Sequence, residues 1–475
     1  MLFSGACVVG PKYQRPSAPT PPTFKEQPPE YFKDAGEWKP AAPNDGTARG
    51  KWWEIFADPE LNALEEQVSI SNQNVLAAEA QYRAAREGVR IARSNLFPTI
   101  TAAPSASASR SSATMSSGAT SAVTQHYTLP VDLTYLADIW GSIRHSVRQG
   151  TDTAQASFAQ LENARLSYQS ELALEYFQLH GIDGVRDLLA RTVKSYEDNL
   201  QLTKDRFAGG VASGVDVAQA QAQLKTTQAE LIDLGIARAQ YEHAIAVLIG
   251  KPPSELSIPT RLIKAVTPAV PRGIPSTLLE RRPDIAALER QMAAANEQIG
   301  IASAAFYPTL TLGASGGLES GSFAKWLTLP SRFWSVGPQM AATLFDAGKR
   351  RAQVAAARAS YDAAVANYRQ TVLASFQQVE DALAALRILD EEARAENDAV
   401  QAAEQSLAIS NYQYRAGTVS YLQVITAQST AVQAEVAALN ILTRRMVSTV
   451  ALIQALGGGW DASALPTPTS LITGK

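Results

Sequence analysis

The strongest constraint on this 475-residue chain is a recurrence. YRAGTVSYLQVITAQ, residues 414–428, has a counterpart about 207 positions earlier in FAGGVASGVDVAQAQ, residues 207–221. Gly210 falls under Gly417, Ser213 under Ser420 and Gln221 under Gln428. Each copy joins a very long helical pattern to a shorter one. Glycine accepts the left-handed conformation that ends one helix and serine can cap the next, so both copies read as tight helix-to-helix turns. The flanks recur too, with Pro98 answered by Pro308 and Gly141 by Gly348. The chain therefore folds as two copies of one unit, which also suits a length too great for one compact core.

Read in order, residues 1–50 begin apolar and small up to Cys7 and continue as a proline-rich arm. A cysteine so near the start, ahead of a stretch with little to fold on, points to a lipid-modified terminus. Ser4 stands where a lipoprotein signal usually has leucine, and a basic leader is missing. Either the start is truncated or Cys7 is an unmodified small residue. Residues 51–249 form the first repeat. Trp52 and Trp53 pack the arm onto the body, Asp58 caps a helix with Pro59 at its first position, and that helix runs to about Phe97. Alternation then marks a hairpin over 99–138, with Tyr127, Leu129, Val131, Leu133 and Tyr135 opposed to Thr128, Pro130, Asp132 and Thr134. A helix over 142–207 spans roughly 100 Å, and one over 215–249 roughly 50 Å.

Residues 250–275 are a proline-rich connector. The second repeat, 276–456, has a helix, a hairpin over 309–345, a long helix over 349–415 and a last helix over 419–456, followed by a tail, 457–475. Tyr361, Val365, Tyr368, Val372, Phe376, Val379, Leu383 and Leu386 recur three or four apart, as in a coiled-coil seam. The chain is thus mainly α with a small β part. The two shorter helices of a unit, laid end to end, match its long helix and can lie beside it.

Four strands cannot close on themselves, and their apolar face and edges need cover. Cyclic association supplies it: two copies give eight strands, which side chains fill, while three give a twelve-stranded barrel with a lumen. With apolar residues outside and Ser, Thr and Asp inside, such a barrel is a membrane pore, and Tyr127, Tyr135, Trp326 and Trp334 supply an interfacial girdle. No run of about 18 apolar residues indicates a spanning helix, which leaves a barrel open.

LLERRPDIAALERQMAAANEQIGIASAAFYPTLTL, residues 278–312, resembles the most recognisable segment of the TolC-like outer-membrane efflux proteins, in the lipoprotein branch that serves multidrug exporters. GACVVGPKYQRP, KWWEIFADPELNAL, TLFDAGKRR, YRAGTVSYL and ALGGGW are similar as well, in order, over essentially the whole chain. The resemblance implies a homotrimer with a coiled-coil helical barrel in the periplasm and a lipid, such as palmitate, on Cys7. It also implies a periplasmic adaptor and an inner-membrane RND-type transporter as partners, and outer-membrane lipid around the barrel. The turns containing Gly210, Ser213, Gly417 and Ser420 become the docking tip for the adaptor. Residues matching Tyr414, Leu422 and Thr426 become the constriction, and Thr426 replaces the aspartate that gives many members an acidic ring.

Other chemistry has little footing. A net charge of −3 and no basic run argue against nucleic acid, and one cysteine with four scattered histidines argues against a disulfide framework, a metal site or a cofactor. Glu280, Arg281, Arg282 and Asp284 read as a helix start with local ion pairs, and Glu289 and Glu297 as solvated, so no catalytic group is assigned and the chain is read as no enzyme. The function expected is a passive exit duct for small molecules. Two alternatives stand beside it: a duct for protein secretion of type I, and a soluble coiled-coil assembly.

Overall fold

The computed structural model describes residues 8–18, 20–26, 51–112, 123–263 and 278–473. Asp58 caps α1 (Pro59–Ser71) by accepting from the amides of Glu60 and Leu61. Where one helix to Phe97 was expected, the chain breaks at Asn72 and restarts as α2 (Gln73–Ser94). Asn72 makes the break worthwhile. Its Oδ1 caps α2 while its Nδ2 donates to the Leu248 carbonyl 2.8 Å away, at the end of α4 (Gly214–Leu248). The second repeat does the same with different chemistry. There α5 (Leu278–Arg281) stops at Arg282, whose guanidinium reaches the Ala455 carbonyl at the end of α9 (Tyr421–Ala455), 3.0 Å away, before α6 (Pro283–Ala304) begins. Arg282 also forks onto Asp284 and donates to Gln378. It is thus a clamp between helices and not only a local ion pair, because its carboxylate partner satisfies one edge and leaves the other free to reach.

These two breaks lay α4 end to end with α2, and α9 end to end with α6. The next residues come so close that only glycine fits: a Cβ on Gly250 would lie 2.3 Å from the Ser71 carbonyl oxygen, and one on Gly457 would lie 2.0 Å from that of Arg281. Each stacked pair runs along one long helix, α3 (Ser142–Ala208) or α8 (Lys349–Arg415), each of 67 residues and so about 100 Å long. The apolar core joins the repeats, with Leu172, Tyr176 and Phe177 of α3 meeting Ile285, Met292, Tyr368, Val372, Val379, Leu386, Met446 and Val450. Trp52 and Trp53 are buried in it. By length and composition α9 could cross a membrane, contrary to expectation, yet it packs along α8 and α3. Its apolarity comes from close packing along those helices.

At the other end of the long helices lies one antiparallel sheet. β1 (Thr99–Ala102) and β2 (Ser105–Arg110) keep a single register against β3 (Val123–Ala137), so they are one strand interrupted at Ala103–Pro104, where proline has no amide to give the ladder. β3 pairs with β4 (Thr309–Ser320) and β4 with β5 (Arg332–Ala341), with the short helix α7 (Phe323–Trp326) between the last two. The sheet therefore has four strand tracks and two open edges. Each passage from sheet to long helix uses the same device. Asp138 accepts from the backbone and side chain of Arg144, and Asp346 accepts from those of Arg350.

Candidate functional site

The turn end is built from two unequal turns. Gly210 and Gly417 take φ of 75° and 77°, closing α3 and α8 with bonds from Val211 N to Arg206 O and from Thr418 N to Gln413 O. Ser213 then makes a reciprocal capping box with Asp216 at the start of α4. Ser420 precedes α9 without a side-chain cap, because Gln423 stands where the first repeat has Asp216. Gly210, Ser213, Gly417 and Ser420 are all exposed, beside exposed Phe207, Val211 and Val215.

Beneath the turns Tyr196, Leu200, Ala220, Leu224, Tyr414, Tyr421 and Val424 form a small core. The three residues that resemblance grouped as a constriction divide here. Leu422 is 56 % exposed, and Thr426, one helical turn on, is exposed with its hydroxyl donating to the Leu422 carbonyl at 3.0 Å. Tyr414 is only 6 % exposed. Its ring lies 5.3 Å from that of Tyr421, and the Arg206 guanidinium sits 4.7 Å above its centroid. Tyr414 thus supports the tip from inside and does not share the exposed face of the other two. Burial, with Tyr414 and Tyr196 alongside, pushes the Tyr421 phenol up to about 12. Arg206, which no sequence signal singled out, also donates to the Arg415 carbonyl and so ties the two turns together.

Across the sheet, residues directly opposite share a face. One face carries Ile100, Leu129, Val131, Leu133, Leu312, Leu318, Trp334, Val336 and Met340. The other carries Thr101, Ser105, Thr128, Asp132, Thr134, Thr311, Ser315, Glu319, Ser335 and Gln339. Trp334, Val336 and Met340 are 78, 73 and 69 % exposed, so the apolar face is uncovered. Tyr127 clusters with Phe323 and Trp326 at the end far from the helices. Tyr135, opposite Leu312, is at the near end, and Trp334, opposite Gly316, lies midway between those levels.

Residues 8–18 and 20–26 lie as a strap over the body, fixed through buried polar groups that the sequence had offered as solvated. Glu297 pairs with His145 at 2.5 Å, and the other ring nitrogen of His145 donates to the Val9 carbonyl. Glu289 accepts from the Tyr13 hydroxyl at 2.7 Å. Both acids are buried because the strap covers them and supplies donors. Farther along, Arg15 donates to Tyr368, the amides of Lys25 and Glu26 donate to Glu380, and Arg387 pairs with Glu26. The strap starts where sheet meets helix, with the Val9 amide donating to the Trp140 carbonyl, and Trp140 stacks on Tyr307 there. Cys7 lies outside the described residues. Among the described residues no group of His, Cys, Asp and Glu is placed to hold a metal ion.

The family model for "Outer membrane efflux protein" matches residues 64–251 and 274–458, one match for each repeat. The chain is 30 % identical over 459 residues to the antibiotic efflux pump outer membrane protein ArpC of Pseudomonas putida, covering 96 % of this chain and 93 % of that protein. It is 30 % identical over 470 residues to outer membrane protein OprJ of Pseudomonas aeruginosa, covering 97 % and 94 %. The solved structure of the outer-membrane channel OprN superposes with a TM-score of 0.85 at 29 % identity, over 96 % of this chain and all of that one.

Proposed function

Because this chain belongs to the outer membrane efflux protein family and is an outer-membrane channel of efflux pumps, we propose that three copies close one twelve-stranded barrel over a helical tunnel that is gated at its turn end. The observation that carries this reading is the sheet. It has one mainly apolar face, one polar face and two unpaired edges, and four strand tracks are too few to close alone. Three copies satisfy every edge and turn the apolar faces to lipid. The family is one of channels, not enzymes, so export is driven elsewhere.

The finer parts of the reading follow from position. The turns lie about 100 Å of helix away from the sheet, which puts them deep in the periplasm when the sheet is in the membrane. Their exposed Phe207, Val211 and Val215 offer an apolar surface for a periplasmic adaptor, which links the duct to an inner-membrane RND-type transporter. Val8 meets Gly141 at the junction of sheet and helix, which is the level at which a lipid on the preceding Cys7 would reach the inner leaflet. Tyr135 at that junction and the Tyr127–Trp326 cluster at the far end suit the two membrane interfaces. They stand eight residues apart on β3, about 26 Å along the strand and so about 20 Å in height at a barrel tilt of about 40°, comparable with an apolar band of about 25 Å. Trp334 then faces lipid between them.

Leu422 and Thr426 are the constriction residues in this reading. In planar bilayers Leu422→Ser is expected to raise single-channel conductance while trimers stay intact, because a bulky side chain leaves the narrowest ring. Unchanged conductance would remove Leu422 from the gate.

A further inference from the structure

We infer that charge preference in this channel is set within the strand region, by Asp132 and Glu319. The inference rests on the barrel reading above, with the polar face of the sheet turned inward. Strand register decides which side chains share that face. Asp132 lies opposite Ser315, and Glu319 lies opposite Thr128. The remaining positions there are Thr, Ser, Gly, Gln and a few apolar residues, with His126 the other ionisable side chain among the described residues. The cations of the strands are on the opposite face: Arg332 is paired with Leu318, and Arg110 with Val123. No lysine or arginine among the described residues is within ion-pair distance of Asp132 or Glu319. Residues 113–122, which join β2 to β3, contain no ionisable side chain in the sequence.

Each chain therefore brings two uncompensated carboxylates to the lumen, and three chains make two rings of three. The rings stand four residues apart, about 13 Å along the strand. Acidic rings favour cations in a pore, and low-dielectric walls focus their field along the axis. At the turn end the exposed face of α9 presents Leu422 and Thr426, neither of which carries a charge. Screening gives the arrangement a signature. The field reaches about 10 Å at 0.1 M salt and only about 3 Å at 1 M, so preference for cations should be clear in dilute salt and fade in concentrated salt.

The test is the reversal potential of reconstituted channels under a potassium chloride gradient. At about 0.1 M salt the parent should pass potassium in preference to chloride, and the double variant Asp132→Asn/Glu319→Gln should lower that permeability ratio at least about twofold. The charge-conserving pair Asp132→Glu/Glu319→Asp should keep it, which separates charge from folding damage. Leu422→Ser should alter conductance and leave the ratio alone. A parent without preference, or a double variant with the parental ratio, would overturn the assignment of charge selection to these rings. Failure of the parent to form channels would overturn the barrel reading itself, and this inference with it.

Discussion

Gly300 in α6 is a helix-interior glycine at which alanine should harm the protein. By propensity alone, Gly300→Ala should stabilise the helix by about 1 kcal/mol. Yet a Cβ there would lie 2.5–2.6 Å from three atoms of the His145 ring. The ring has no room to give way, since one nitrogen is held by Glu297, the other by the Val9 carbonyl, and Gly10 closes in on it as well. Displacing it forfeits a charge-assisted bond of about 1.5–3 kcal/mol and a second bond of about 1 kcal/mol. Overpacking adds about 1–3 kcal/mol. Set against the propensity gain, the net loss is about 2.5–6 kcal/mol. Large membrane assemblies unfold irreversibly, so the comparison belongs in unfolding rates at one fixed temperature, followed by tryptophan fluorescence in detergent. Trypsin cleavage after Lys12 should accelerate too, because the strap loses its first anchor. In a His145→Ala background the same change should cost little or even stabilise, a strongly non-additive pair. If Gly300→Ala alone unfolded no faster than the parent, the account of the packed ring would be wrong.

Burial pushes the Asp152 carboxyl up to about 7, opposed by Arg290 and reinforced by Glu297 and Glu289. Between its ordinary value of 3.8 and about 7 the folded protein binds more proton than the unfolded chain, so this group makes stability fall as pH rises through that window and level off above it. Asp152→Asn should flatten that decline and leave the protein more stable than the parent at pH 8; a steeper decline in thermal midpoints measured from pH 5 to 8 would refute the assignment. The Tyr414 hydroxyl is buried without a partner, so Tyr414→Phe should hold or raise stability by up to about 1 kcal/mol and leave conductance unaltered. A conductance change like that of Leu422→Ser would return Tyr414 to the constriction.

Much of this fold was legible because its strongest signals are periodic. The long helices end within a residue of where the pattern stops, since glycine and proline punctuation is local chemistry, and the strand faces follow from alternation. What escaped were side chains whose purpose lies across the fold. Nothing near Asn72 or Arg282 announces that each reaches a carbonyl well over a hundred residues away. Glu297 looks like a solvated helix residue until His145 and the strap arrive from distant sequence. At the tip, resemblance grouped Tyr414, Leu422 and Thr426, but helix phase and the Arg206 contact turn Tyr414 inward.

The two turns that began as a repeat have one further consequence. One is locked by a Ser213–Asp216 box and the other lacks it. Three copies in a ring would thus present six similar knuckles of two alternating kinds, with sixfold shape and threefold chemistry. A partner ring of identical subunits could engage all six only by tolerating two quasi-equivalent environments, or it could select one set and leave the other free. Duplication followed by drift in one capping acid would be enough to write that alternation into the turn end.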